Sequence, residues 1–367
     1  MHNGGVPLTD IIVGEAISKV KGLRELLESD EAMEFFMEIY DVLDNAGKIH
    51  VINDDVKPLA SFIGIDGAYA VYKMFGGVVG IYGTISVEPR GGLILPEVVR
   101  YGVETFVGDG ADRMFQLKEY TEELFTVIDI LSKAGDSIPV FVDGSLSSSM
   151  GHLHILSDSR NSLKTMIDAV EQILKAINMD MAPVVFVPKR AVKNIAFEDS
   201  AIKNALYAKG LIKNNIMSLS EPLVIGNAIF KKRFQWKDKR DKRALMPIVA
   251  GPFPLIIDLT MNNMRVVDAM NTYYINLWQW RHSVLRVDVG KNRNVAFIKK
   301  MVLPAIDLSP RVACVMAADE YAKSVISTAM KNFLNVLKSS PEFSDVLKVL
   351  PDYRGEGYAD HSVFFGE

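Results

Sequence analysis

Residues 61–92, SFIGIDGAYAVYKMFGGVVGIYGTISVEPRGG, constrain the fold more than any other stretch. They are rich in β-branched and aromatic residues and broken by glycines, the pattern of two or three antiparallel strands. GLILPEVVRYGVETFVG, which follows, can supply another. The texture then changes. A helix is expected over roughly residues 112–131, with Leu117, Tyr120, Leu124, Val127, Ile128 and Leu131 on one face. IPVFVD reads as a short buried strand, NSLKTMIDAVEQILKAIN as a second amphipathic helix, and APVVFVPK as another buried strand. A meander feeding into strands that alternate with helices implies an α/β fold, a mixed sheet with helices packed on it.

Two flanks complete the chain. Residues 8–47 repeat apolar positions at helical spacing with Gly47 as a stop, so residues 1–55 read as a helical arm packed on the body or on a second subunit. Beyond residue 200 the pattern is less regular. PFPLIIDLTM and HSVLRVDVG look like further strands, and RVACVMAADEYAKSVISTAMKNFLNVL like a long helix. No internal repeat or low-complexity linker interrupts residues 56–367, which reads as one continuous domain.

Composition excludes several classes. The single cysteine, Cys314, rules out an internal disulfide and a cysteine-based zinc site. The N-terminus lacks the basic start and apolar core of a signal peptide, and no apolar run reaches the roughly 18–20 residues of a membrane span. These features read as a soluble cytoplasmic protein. The formal net charge of −4 announces no nucleic-acid binder, so any such surface is local. Neither VGDGADRMF nor FGGVVGIYG has phosphate-loop spacing, and no Walker motif occurs.

The acids carry the chemistry. Asp66 ends one apolar strand and Asp143 another, each followed by glycine. If the two strands are neighbours, both carboxylates emerge at one edge of the sheet. The intervening helix carries Glu119, Glu122 and Glu123. On a wheel centred on its apolar face Glu123 lies at the flank, while Glu119 and Glu122 point further towards solvent. Three converging carboxylates suit hard cations such as magnesium or manganese, and two such ions support phosphodiester cleavage. The alternative is that each Asp-Gly makes an ordinary turn. In the metal-site reading, Gly144 lets the backbone turn away so that Asp143 faces the ions.

A strand with GIDG, a Glu-bearing helix and VFVDGSL together resemble the NurA nuclease family of archaea and some bacteria, and more broadly the ribonuclease-H-like fold. VPKRAVKN is similar to the family's strand-plus-lysine segment, with Lys193 as the lysine. HSVLRVDV is similar to its Arg-x-acid strand, giving Arg286 and Asp288, and the resemblance makes Lys193 and Arg286 candidates for contact with the DNA backbone. GEGYADHSVFF resembles its terminal helix start bearing a histidine, here His361. The terminal motif usually has alanine directly before histidine, whereas here Asp360 separates Ala359 from His361, which leaves open whether Asp360, His361 or both face the metals. The resemblance implies a manganese- or magnesium-dependent DNA nuclease, with two ions held by Asp66, Glu123, Asp143 and His361, and Glu119 a further candidate. It also implies single-strand endonuclease and 5′-to-3′ exonuclease activity, a homodimer, and work with a hexameric HerA-type ATPase in the processing of DNA ends during repair. Two other readings stay open. One is a catalytically inactive relative that binds DNA or docks the ATPase, the other a metal-dependent phosphoesterase acting on nucleotides.

The run KKRFQWKDKRDKR, residues 231–243, holds eight basic residues, so Lys231, Lys232 and Arg233 are candidates for phosphate contact, with Phe234 or Trp236 stacking on bases. The bland alternative is a solvated loop. His152 and His154 read as surface or structural residues. Ser145 lacks the surroundings of a nucleophile and reads instead as a loop cap or a phosphate contact. Trp278 and Trp280 read as packing elements.

Overall fold

In chain order the elements are α1 (Asp30–Asn45), β1 (Ile49–Val51), β2 (Ile63–Met74), β3 (Gly77–Arg90), β4 (Leu93–Phe106), α2 (Ala111–Ala134), β5 (Val140–Asp143), α3 (Arg160–Asn178) and β6 (Val184–Val187). They continue with α4 (Ser200–Ala208), α5 (Glu221–Asp238), β7 (Ile248–Ile257), β8 (Val267–Asn276), β9 (Leu285–Gly290) and α6 (Ala313–Ser339). The structure is a computed structural model. It describes residues 27–53, 55–59, 61–74, 77–90, 93–106, 111–134, 138–146, 160–178, 183–188, 194–213, 219–257, 267–306 and 310–340, with 217 and six positions between 13 and 25.

All nine strands form one mixed sheet in the order β1-β7-β8-β9-β6-β5-β2-β3-β4. The meander β2-β3-β4 is antiparallel, as its glycine-broken alternation predicts. β5 is parallel to both β2 and β6. β5 (VFVD) and β6 (VVFV) are buried along their whole length, which is why they read as uninterrupted apolar runs: helices cover both faces of the sheet there. This is the expected ribonuclease-H-like mixed sheet flanked by helices.

One face packs against α1 to α5, in a single core that joins Phe36, Leu124, Val170 and Ile229. The other packs against α6 and the turns of residues 295–306. α6 lies along β2 and β3 through Ala318, Ala322, Ile326 and Met330, whose spacing of four puts them on one stripe. Small residues at the first two of these positions bring the helix axis close to the sheet.

Three features differ from expectation. Ile49–Val51, inside the expected arm, pairs with β7 as an edge strand of the sheet. The charged run 231–243 is not a loop; it forms the end of α5 and a 3-10 turn, Lys242–Leu245. β8, unmarked in the sequence, pairs with β7 and β9. Among the described residues, no helix is long and apolar enough to cross a membrane.

Candidate functional site

The site forms where β5 stops. β2 pairs with β5 only through Ile63, Gly64 and Ile65, so from Asp66 onward β2 has a free side. The Gly67 amide, with no strand beside it, donates to Asp66 Oδ1 at 2.8 Å and to Glu123 Oε1 at 2.5 Å. A side chain at position 67 would displace both glutamates, because its Cβ would lie 2.3 Å from Glu119 Oε1 and 2.9 Å from Glu123 Oε1. The glycine after Asp66 is therefore the space into which two glutamates reach.

Asp143 ends β5 as expected. Gly144 follows with φ 88°, a conformation that L side chains rarely adopt, and its amide donates to Asp143 Oδ1 at 2.9 Å. The chain turns away and leaves the carboxylate at the strand tip.

Oxygens of Asp66, Asp143 and Asp319 all lie within 4.8 Å of one another, and so do those of Asp66, Glu119 and Glu123. Asp66 belongs to both groups. Asp66 does not end its strand as expected; it lies inside β2, which runs on to Met74, beside the end of β5. The first group joins β2 and the end of β5 to α6, the second joins β2 to α2, so helices from the two faces of the sheet meet at this gap. Asp66, Glu119, Glu123 and Asp143 are each less than 5% exposed. The pKa of Glu123 is held well above the ordinary glutamate range, first by burial and then by the charges of Glu119 and Asp143. Five crowded carboxylates of this kind form a donor set of oxygens alone, which fits hard cations such as manganese or magnesium and not a soft metal.

The structure brings Asp66, Glu123 and Asp143 together and adds two acids. Glu119 is buried in the cluster, not turned to solvent, because it stands one helical turn from Glu123 on the face above Gly67. Glu122 points the other way, to Arg100 of β4. Asp319, which sequence reasoning missed, sits on α6 after Ala318 and also accepts from Lys323 Nζ at 2.9 Å. His361, Asp360, Lys193, His152 and His154 lie outside the described residues.

Two expected phosphate contacts are overturned by burial. Arg286 makes a fork to Asp288, Nε to Oδ1 at 3.0 Å and Nη2 to Oδ2 at 2.9 Å, and the pair is nearly inaccessible. Arg233 donates to Asn276 and to the carbonyl of Ala244, and burial pushes its pKa down to about 10. Trp236 is likewise buried, edge-on to Tyr40, so it cannot stack on bases. Ser145 is buried and its hydroxyl donates to Asp288. Lys232 is partly occupied by Asp41 and the Tyr40 ring. Lys231 is half-buried, and Phe234, Lys237, Lys239 and Arg240 are exposed.

No protein-family model matches the chain, and no curated protein does. Among solved structures, the chain is similar to the NurA nuclease from Sulfolobus solfataricus, with 14% identity and a TM-score of 0.51, over 90% of this chain and 99% of that one. It is similar also to a NurA structure with manganese, with 9% identity and a TM-score of 0.50, over 94% of this chain and 98% of that one. At these identities the likeness is one of architecture: the chain has the fold of the NurA nucleases over nearly its full length.

Proposed function

We propose that the chain is a divalent-metal-dependent deoxyribonuclease. The observation that carries this reading is the pair of carboxylate groups sharing Asp66 at the gap between β2 and β5. A fold shared with nucleases, one of them crystallised with manganese, supports it. Asp66, Asp143 and Asp319 would hold one ion, and Asp66, Glu119 and Glu123 a second. Asp319, preceded by alanine on a late helix, takes the role that the family resemblance gives to a histidine. Divalent ions held by these carboxylates would supply a water of lowered pKa and positive charge for the phosphate.

The chain's own residues set the terms of that binding. Gly67 and Gly144 fix the Asp66 and Asp143 carboxylates by their amides. Burial of Glu119 and Glu123 excludes water from the sheet side of the cluster. Lys231 and the exposed Lys237, Lys239 and Arg240 belong to α5 and the turn after it, and α5 packs on β8, three strands from β5. In our reading they hold a DNA backbone away from the point of cleavage. Single-strand endonuclease and 5′-to-3′ exonuclease activity, a homodimer and a HerA-type ATPase partner complete the reading by family resemblance.

The test is manganese-dependent degradation of labelled single-stranded DNA by the wild type and by Asp143→Asn. We expect the wild type to degrade it and Asp143→Asn to lose at least 100-fold in rate, in line with loss of a metal ligand. Equal activity of the two proteins, or none in the wild type with manganese or magnesium, sinks the nuclease reading. The second reading, an inactive scaffold, is favoured by the Lys323 ion pair that already neutralises part of Asp319. It predicts DNA binding without cleavage and no heat of manganese binding in calorimetry.

A further inference from the structure

Asp288 stands in the middle of β9, fully buried, and accepts four hydrogen bonds. Two come from Arg286 on the same face of the strand. One comes from Thr272 of β8, Oγ1 to Oδ1 at 2.7 Å. The fourth comes from Ser145, Oγ to Oδ2 at 2.7 Å, across 143 positions of sequence. Each oxygen of the carboxylate is thereby used twice. Burial opposes the charge on Arg286, but the Asp288 carboxylate outweighs it and holds the guanidinium above its ordinary value. Asp288 is thus a fixed, fully engaged anchor two strands from Asp143, since β6 lies between β5 and β9.

The residue that reaches this anchor is the second after Asp143. The turn between them has a glycine in the left-handed region, the most easily deformed point of a chain. Its amide donates both to Asp143 Oδ1 and to the Val187 carbonyl, the latter at 3.2 Å, so neither bond alone fixes it. Ser145 supplies a third restraint, and Leu146 beyond it is buried in the core. The tie to Asp288 adds to the shared amide and the packing of Leu146, and it is the restraint that reaches the turn from β9.

We propose that the tie from Ser145 to the Asp288 carboxylate, itself held by Arg286, is a positioning device, which locks the turn after β5 and so sets the direction of the Asp143 carboxylate towards a bound cation. The inference rests on the metal-site reading above and deepens it. It gives the Arg-x-acid pair of β9 a role in metal affinity in place of DNA contact. Outer partners of metal ligands change affinity by about 10- to 100-fold when removed, because a ligand free to swing must be ordered on binding.

The experiment measures manganese binding by calorimetry, with the ion alone as the probe, together with thermal unfolding of the metal-free proteins. Ser145→Ala is expected to weaken manganese binding about 10-fold. Ser145→Thr, which keeps a hydroxyl, restores most of it, and Ser145→Cys, a weak donor of similar shape, falls between. Thr272→Val removes an equal bond to the same carboxylate, from a strand that carries no part of the turn. It is expected to lower the melting temperature while leaving manganese affinity within about twofold. An unchanged affinity in Ser145→Ala, or an equal loss in Ser145→Ala and Thr272→Val, overturns the positioning role and leaves the metal site intact. A wild type that binds no manganese overturns both.

Discussion

At the scale of single residues, a glycine at the centre of an acidic cluster decides which carboxylates can meet. A Cβ at position 67 would collide only with the far ends of two glutamates, not with backbone. Gly67→Ala should therefore fold, with a change in melting temperature of a few degrees, while both glutamates swing off Asp66. We expect manganese affinity to fall at least 10-fold in calorimetry; binding equal to wild type would mean that the second carboxylate group holds no ion. Glu123 gives a pH prediction. Its folded value lies well above the 4.5 of a free glutamate, so the folded state holds this proton more tightly than the unfolded chain. The associated stability is fully present below about 4.5 and is lost as pH rises from there through the folded value. Metal-free protein should thus unfold at lower denaturant at pH 8 than at pH 5, and Glu123→Gln should reduce that difference. A larger pH dependence in the variant would contradict the assignment. The wheel drawn on the sequence misplaced Glu119 for a related reason: it equates burial with apolarity. A carboxylate buried for a cation breaks that equation, and only the room above Gly67 reveals it.

Among the elements, α6 carries an acid that no local pattern marks. Its apolar stripe announced a helix, and the helix is there. Nothing in residues 313–339 states that the stripe lies on β2, so Asp319 could not be joined to Asp66 from the sequence. Asp143 was legible because a strand tip followed by glycine is a local signal, whereas Asp66 lies inside β2, which runs on to Met74, and its glycine marks the room for two glutamates instead of a strand end. The short edge strand β1 and its partners β7 and β8 were not, since three residues carry no period and pairing across about 200 residues is not written locally. The dependence of the site on α6 is testable through its seat. Ala322 is fully buried against the sheet one turn after Ala318. Ala322→Leu would overfill that contact at a cost of about 1–3 kcal/mol and push the helix outward. Manganese affinity should fall with it, although position 322 touches no ion. Asp319→Asn should weaken binding with no loss of stability. If Ala322→Leu destabilises the protein and leaves manganese affinity untouched, α6 contributes packing alone.

Across the whole molecule, the carboxylates belong to β2, β5, α2 and α6, and so tie both helical layers to the middle of the sheet. In the metal-free protein these acids repel one another, and burial removes the water that would screen them. A cation bound only by the folded arrangement must therefore appear as stability. The expected gain is RT ln(1 + [L]/Kd), about 2.7 kcal/mol when the ion is at 100 times its dissociation constant. For a domain of this size that amounts to several degrees of melting temperature. Manganese should raise the melting temperature of the wild type, and calcium, with its longer bonds and larger coordination shell, should raise it less. Asp66→Asn should show the least response of any single ligand variant, because Asp66 is the one acid common to both groups. It should also melt higher than the wild type when metal is absent, since one buried charge is gone. A manganese shift of equal size in wild type and Asp66→Asn would place the ion elsewhere, and a wild type indifferent to every divalent cation would leave the crowded carboxylates to be explained by shared protons.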